Sequence, residues 1–292
     1  MRSSLRTRAA LAAVIAALLG AAWLALSAVL LPQPPVLREI LLGVGVVCLC
    51  LFVIIGGLAI IEAWAMRRAE ERMRRFLADA SHELRTPIAG VQASAEALLR
   101  GSPSHATREK LLLQILQESH RAGRLIDDLL AITRLEQGTA LATERFDLMP
   151  LTAAAVELTR ELAPAVDVQL HGPSHVELRG DPQRIRQVLD NLLSNARHAT
   201  PDGGKIIVQV TDGADRIEVE VADTGSGIPP PDRERIFERF TRLNGTYLNG
   251  AGGNGLGLAI ARGIATAHSG TLSCAEPVGQ GARFRLRLPR PR

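Results

Sequence analysis

Aromatic residues are scarce. Two Trp, one Tyr and six Phe make up 3% of 292 residues. A platform for stacking nucleic-acid bases needs more of them, and no Lys/Arg run is interleaved with the few present. The formal net charge of +4 is too small to argue for a polyanion. Nucleic acid is therefore not an expected partner. Cysteine is scarce too, with three in all. Cys48 and Cys50 lie inside an apolar run and Cys274 is distant, so neither a disulfide framework nor a thiolate zinc pattern follows. All three read as small apolar fillers. Proline and glycine are missing from "EAWAMRRAEERMRRFLADASHEL", Glu62 to Leu84, so nothing there interrupts a helix. Charge is missing altogether from two stretches, Ala9 to Leu31 and Ile40 to Ile61.

Each uncharged stretch is long enough to cross a bilayer as a helix. The first is too long for the apolar core of a cleaved signal peptide, roughly 7–15 residues. Residues 1–64 are therefore expected to form a membrane region with two spans, at about 9–31 and 40–61. Arg2, Arg6 and Arg8 precede the first span, and Arg67, Arg68, Arg72, Arg74 and Arg75 follow the second. The excess of positive charge places both ends on the cytoplasmic side. The outer loop, Pro32 to Glu39, is then too short to fold into a ligand-binding domain. Gly43, Gly45, Gly56 and Gly57 permit close helix packing; an ordinary scatter of membrane glycines accounts for them equally well.

Beyond the second span, residues 65–75 read as a short juxtamembrane helical linker. Leu77, Leu84, Val91 and Leu98 then recur every seven residues, with Ala80, Ile88 and Ala95 filling in. This is an apolar seam at coiled-coil spacing. His82 lies about 140° around the helix from Leu77, pointing away from that seam. Glu83 sits beside it and Thr86 shares its face one turn on. Pro87 cannot donate to the carbonyl four residues back, so the helix is expected to bend there. "RGSPSHAT" reads as a turn. A second helix, Arg108 to Leu135, carries an apolar stripe through Leu112, Ile115, Ser119, Ala122, Ile126 and Leu129, broadened by Leu116, Leu125 and Ile132. Two helices cannot bury a stripe that broad. Pairing with a second copy into a four-helix bundle would cover it, as would packing on the following domain.

The pattern changes near Glu144. "RFDL" reads as a short strand, Leu151 to Leu162 as a helix, and "VDVQLHG" and "HVELRGD" as a strand pair. Pro182 to Ala199 is a helix with proline in its first turn. "KIIVQVTDGADRIEVEVAD" is a hairpin. Helices are expected at Pro231 to Arg239 and Gly255 to His268, and strands at "GTLSCAE" and "ARFRLRLP". This is an α+β layer fold, one mixed sheet with helices on a face.

Three segments of that domain set polar or glycine-rich backbone beside a helix. In "DNLLSNARHAT", Asn191 and Asn195 stand one turn apart. Two amide oxygens there suit a hard cation that keeps phosphate oxygens in its shell, such as magnesium; a pair of surface asparagines is the other reading. "DTGSGIP" puts Asp223 at a strand end, with Gly225 and Gly227 allowing close backbone approach. "NGTYLNGAGGNGLGLAIARG" is a glycine-rich loop feeding a helix N-terminus, a phosphate-binding arrangement. No Walker lysine follows it, so it is not a P-loop.

Jointly and in order, "SHELRTP", "DNLLSNA", "DTGSGIP", "RIFERF" and "GNGLGLAIA" resemble the H, N, G1, F and G2 boxes of bacterial sensor histidine kinases. The resemblance covers about Phe76 to Pro289. Beyond the two transmembrane helices read from the apolar runs, it implies a multidomain protein: an antiparallel hairpin (76–138) forming a dimeric four-helix bundle for dimerisation and phosphotransfer, and an ATP-binding α+β sandwich (144–290) of the kind shared with Hsp90, MutL and gyrase ATPases. It implies ATP and Mg2+ as cofactors and a cognate response regulator as partner. His82 would be the phosphoacceptor and Glu83 its proton partner, and Thr86 would orient water in dephosphorylation of the regulator. Asn195 would hold magnesium, with Asn191 lining the same site. Asp223 would accept from the adenine amino group, with Gly225 and Gly227 shaping that pocket. Gly253, Gly255 and Gly257 would form the phosphate lid, and Phe237 and Phe240 its near anchor. Two departures stand out. His198 occupies a position where Lys or Arg usually holds the phosphates, with Arg197 and Lys205 as nearby alternatives. The linker before the His82 helix is too short for a HAMP module. The expected place is the bacterial cell membrane, multi-pass, with the N-terminus and catalytic part cytoplasmic. The short outer loop implies a signal read in the membrane, from a lipid or a membrane protein.

Overall fold

A computed structural model of the chain describes residues 34–101, 104–137, 141–242, 254–276 and 279–291, with isolated positions at 20, 22, 23 and 26. The chain divides into two compact units, Met1–Leu77 and Ala78–Arg292.

Helix α1 runs from Pro35 to Arg100 over 66 residues. Pro35 sits in its first turn, where a missing N–H costs nothing. Residues from Pro35 onward are thus helical where part of a loop over 32–39 was expected. Among the described residues this is the one helix long and apolar enough to cross a membrane, with a mean hydropathy of 3.0 in its most apolar window. The expected span at 40–61 belongs to it. The expected span at 9–31 lies almost wholly outside the described residues. The helix continues through Pro87, which is buried.

In the second unit, the end of α1 pairs with α2, His105–Glu136. The Ser104 hydroxyl accepts from the Thr107 N–H at 3.3 Å and so caps α2. The α1 seam follows the expected sevenfold spacing through half-buried Leu84, Val91 and Leu98 but not at Leu77, which is 57% exposed while its neighbour Phe76 is buried. The positions filling between them are Ala80, Pro87 and Ser94 rather than Ile88, which is 49% exposed. A Cβ built on Gly90 would lie 3.1 Å from Glu118 Cγ, so the two helices approach closely at that level. Leu125, Ala131 and Ile132 are buried on α2, whereas Leu112, Leu113, Leu116, Ile126 and Leu130 are about half exposed.

The α/β domain begins with β1 (Glu144–Asp147) and α3 (Leu148–Leu162). Next come β2 (Asp167–His171), β3 (Glu177–Gly180) and α4 (Pro182–Ala199). The hairpin β4 (Lys205–Asp212) and β5 (Arg216–Asp223) follows, then α5 (Gly257–Ala267), β6 (Thr271–Ala275) and β7 (Arg283–Pro289). Five strands form one mixed sheet in the order β2-β4-β5-β7-β6, with β2 parallel to β4 and the other pairs antiparallel. The expected pairing of the "VDVQLHG" and "HVELRGD" segments does not occur. β2 joins the main sheet, and β3 pairs instead with β1, Phe146 opposite Leu178. The expected helix at Pro231–Arg239 is two 3-10 turns, Pro230–Asp232 and Arg235–Phe237. Consecutive prolines at 229–231 deny the segment its backbone donors.

One face of the sheet carries the core. β4 turns Ile206, Val208 and Val210 inward, and β5 Ile217, Val219 and Val221. β7 adds Phe284, Leu286 and Leu288 on the same alternation. α4 covers them with Ile185, Val188, Leu189, Leu192, Leu193 and Ala196, an apolar stripe at helical spacing. Each fully buried Leu or Ile stabilises by about 1.5–3 kcal/mol. Asp181 caps α4 by accepting from the Arg184 N–H at 3.1 Å. The Asp181 N–H in turn donates to buried His268 Nε2 at 3.0 Å, while His268 Nδ1 donates to the Ile264 carbonyl at 2.8 Å. This imidazole ties α4 to the end of α5. The architecture leaves the C-terminal half of α4, the end of β5 and the start of α5 at one edge, facing α2.

Candidate functional site

At that edge lies a cavity of about 680 Å³, within the range usual for small-molecule sites. Its floor is the end of β5. Asp223 is 5% exposed and accepts through Oδ1 from the Gly225 N–H at 2.9 Å and the Ala282 N–H at 3.1 Å. Burial pushes its carboxyl above the usual carboxylate value, against the lowering effect of those two donors. Gly225 is required by contact: a Cβ there would stand 2.3 Å from the Ala199 carbonyl oxygen. Gly281 is required more strictly, with φ of 109° and a hypothetical Cβ 1.7 Å from the Asp223 carbonyl oxygen. The sequence reading missed Gly281 and Ala282. The glycine pair at 279 and 281 just before a strand was the available signal.

α4 supplies the next wall. Asn191, Asn195 and His198 all line the cavity. Asn191 donates to the Gly257 carbonyl at 2.9 Å. Its amide nitrogen thereby helps fix the first turn of α5, and the engaged atom is the nitrogen rather than the oxygen a cation would need. The Asn195 side chain has no hydrogen bond to another described residue. The Ser194 carbonyl accepts from His198 Nδ1 at 2.5 Å, and Arg197 Nη2 meets His198 Nε2 at 3.3 Å. A carbonyl only accepts and a guanidinium only donates, so the ring is the neutral Nδ1–H tautomer. Burial holds its pKa below the usual histidine value, with Arg197 and Arg124 adding to the lowering. His198 is therefore placed in the cavity as expected, but not as a cation. Lys205 is not at the cavity.

The third wall is the start of α5. Gly255, with φ of 71°, accepts through its carbonyl from the Phe240 N–H at 2.9 Å. Gly257 lies against Asn191. The Asn254 carbonyl oxygen of the side chain accepts from the Leu256 N–H at 3.2 Å. Phe237 is buried, edge-on to Phe284 at 6.3 Å between ring centroids, with the Arg262 guanidinium 5.0 Å over its ring. Gly253 lies outside the described residues.

The fourth wall comes from the hairpin. Glu83, Gln117, Arg121, Arg124 and Asp128 all face the cavity. Asp128 accepts from Asn254 Nδ2 at 2.7 Å, and burial raises its pKa above the usual value. None of these α2 residues was singled out from the sequence. On α2 they read as the solvated face of an amphipathic helix, and only the packed domain shows what they meet. His82 and Thr86 are exposed outside the cavity lining. Glu83, one residue from His82, is inside it. Among the described residues no group of three or more His, Cys, Asp or Glu side chains is placed to hold a metal. Any cation here would depend on an amide such as Asn195 and on the oxygens of a bound phosphate.

The geometry joins an ATPase-like α/β layer to a helical hairpin bearing an exposed histidine. Two family models match these parts: the His Kinase A (phospho-acceptor) domain at residues 72–138, and the histidine kinase-, DNA gyrase B-, and HSP90-like ATPase at residues 180–292. The chain belongs to the sensor histidine kinases of two-component systems. It is 35% identical over 248 residues to the sensor histidine kinase RppB of Synechocystis sp., covering 80% of this chain and 54% of that protein. Among solved structures, the Acinetobacter baumannii histidine kinase AdeS superposes with a TM-score of 0.56 at 26% identity, covering 72% of this chain and 98% of that one. Histidine kinase ThkA in complex with response regulator protein TrrA superposes at 0.60 with 25% identity, covering 77% and 65%. The chain spans about half the length of the curated relatives it matches.

Proposed function

We propose that this protein is an ATP-dependent protein-histidine kinase of a bacterial membrane that phosphorylates itself on His82 and passes the phosphoryl group to an aspartate of a response regulator. The observation that carries this reading is one cavity that runs from buried Asp223 to Glu83, the neighbour of exposed His82. Asp223 accepts a hydrogen bond from the adenine amino group. Asn195 would hold magnesium, which would supply charge compensation at the phosphates, and the N–H groups of the first turn of α5 would meet the phosphates. An imidazole nitrogen of His82 attacks the γ-phosphorus in line. The N–P bond forms, the bond to the β-phosphate oxygen breaks, and ADP leaves. Glu83 takes the proton of the other ring nitrogen, which keeps the attacking nitrogen nucleophilic. Positioning and charge compensation supply most of the rate. An exposed Thr86 on the same face as His82 suits a second activity, orienting water against a docked phosphorylated regulator.

Two copies close the half-exposed apolar stripe of α2 into a four-helix bundle. Two spans, at 9–31 and 40–61, anchor the dimer, and with so short an outer loop the signal is read within the membrane. Incubation of the purified protein with radiolabelled ATP and magnesium tests the core of this reading. Acid-labile label that disappears in His82→Ala is expected. Label that persists in that variant refutes it. Replacing both spans with unrelated ones is expected to abolish signal response while leaving basal labelling in place.

A further inference from the structure

The end of the cavity at α5 is tied to the hairpin. Asn254, just ahead of Gly255 and Gly257, reaches Asp128 on α2 at 2.7 Å. The level of His82 on the hairpin follows from the close approach of Gly90 and Glu118. The helices are antiparallel, so seven residues back along α1 and seven forward along α2 bring Glu83 level with Leu125. Asp128 is less than one turn beyond that level. Arg124, one turn before Asp128 and on its face, is one residue from the position level with Glu83. Arg124 and Glu83 line the cavity together, and both belong to the chain that supplies its other walls.

Across the cavity stands the α4 wall with His198. That ring is neutral, and the nearest arginine on its helix, Arg197, is turned to its Nε2 at 3.3 Å. The field of Arg124 reaches the same ring and helps hold its pKa down. A position suited to a phosphate-holding cation is thus occupied by an uncharged group, and a guanidinium from the hairpin lies opposite.

We propose that Arg124 contacts the transferred phosphoryl group of the nucleotide bound by its own chain, supplying the cation that His198 does not. This rests on the kinase reading above. During transfer the nitrogen–phosphorus bond forms at His82 while the bond to the β-phosphate oxygen breaks, and negative charge is spread over the equatorial and leaving oxygens. A guanidinium presents forked donors matched to that arrangement. Arg124 meets the phosphate while the α/β domain rests on its own hairpin, the arrangement in which both line one cavity. On this proposal the nucleotide, Arg124 and the receiving His82 belong to one chain.

The test uses the full chain in lipid nanodiscs as wild type, Arg124→Ala, Arg124→Lys and the double variant Arg124→Ala/His198→Arg. Titration calorimetry measures ATP and ADP affinity with magnesium, and radiolabel the initial rate. Arg124→Ala is expected to slow labelling by about tenfold or more, the scale of one lost charge-assisted phosphate contact. It is also expected to lower the preference for ATP over ADP while leaving ADP affinity unchanged. Arg124→Lys restores part of the rate, and His198→Arg restores much of it from the other wall. A purely structural role for Arg124 would slow labelling without moving the ATP-to-ADP ratio, and that outcome overturns the proposal. Mixed dimers decide which chain Arg124 serves. With His82→Ala in one chain and Arg124→Ala in the other, the only chain able to accept label lacks its own Arg124. Little label is expected; full-rate labelling overturns transfer within a protomer. If wild type takes no label, the kinase reading fails, and the ATP-to-ADP ratio still reports whether Arg124 meets the γ-phosphate.

Discussion

The hairpin and the α/β domain solve the burial problem differently. The domain closes its own core: Leu148, Ile185, Leu189, Ile206, Ile217, Ile260 and Leu286 are all under 2% exposed within one chain. Its charged face is also self-satisfied, with Glu218 and Glu220 on β5 paired to Arg283, Arg285 and Arg287 on β7. The hairpin buries a narrow seam and leaves Leu116 at 52% and Ile126 at 48% exposure. Two helices meet along one stripe, whereas a sheet covered by helices buries a whole face. A self-sufficient nucleotide module is thus joined to a helical pair that is incomplete as a single copy.

The sharpest way to break this comparison is Gly281→Val. A side chain there collides with the Asp223 backbone at a positive φ that glycine alone tolerates. A loss of about 3 kcal/mol or more is expected in the α/β domain, with nucleotide binding abolished and α2 still protected in hydrogen exchange. Simultaneous loss of protection in both regions would show that they do not fold independently. Next in size is Ile126→Asp, which places a carboxylate on the exposed stripe of α2. Covering half an isoleucine in each copy contributes about 1 kcal/mol per chain, and an unpaired charge costs more. Dimer affinity measured by sedimentation is expected to fall at least about thirtyfold, with the melting temperature of the α/β domain unchanged. An unaltered dimer would move the interface elsewhere.

The same contrast explains what could be read in the sequence. α4 was legible to the residue, because Asp181, Pro182 and the buried stripe from Ile185 to Ala196 encode a start, a face and an end locally. The β4–β5 hairpin was legible for the same reason, as strict alternation around one turn. The partners of β2 and β3 were not, because both are short strands whose pairing is settled by distant segments, β4 and β1. Polar motif residues of the site were legible as types at spacings. Their engagements were not: nothing in "DNLLSNARH" says that the Asn191 amide nitrogen donates to the Gly257 carbonyl or that His198 is held neutral. The α2 wall was invisible because a helix face reads as solvated until something packs on it.

Asp223→Asn separates stability from function inside the domain. The raised pKa means that the folded state favours the protonated carboxyl. The stabilisation it contributes is fully present below the ordinary value of 3.8 and is lost as pH rises through the folded pKa, so the ionised group is a cost at neutral pH. The Asn variant is expected to be at least as stable as wild type at pH 7 and to bind nucleotide about tenfold more weakly, the scale of a lost charged acceptor. Calorimetric melting with nucleotide titration checks both halves. Tight binding by the variant would remove Asp223 from the adenine pocket.

The smallest effect concerns the link between the two regions, Asp128 with Asn254. Asn254→Ala removes one hydrogen bond between α2 and the start of α5, a loss of about 1 kcal/mol or slightly more. The pH dependence of this link has a definite sign. Burial raises the Asp128 pKa in the docked arrangement, so docking takes up a proton and strengthens as pH falls through the raised value towards 3.8. Exchange protection at the first turn of α5 and along α2 near Asp128 is expected to increase on mild acidification. Asp128→Asn keeps an oxygen to accept from Asn254 but carries no charge, so it should hold that protection constant with pH. If protection in the variant still followed pH, the titrating group would lie elsewhere, and the α/β domain would rest on its hairpin through apolar contacts such as Leu135 against Gly263 rather than through this carboxylate.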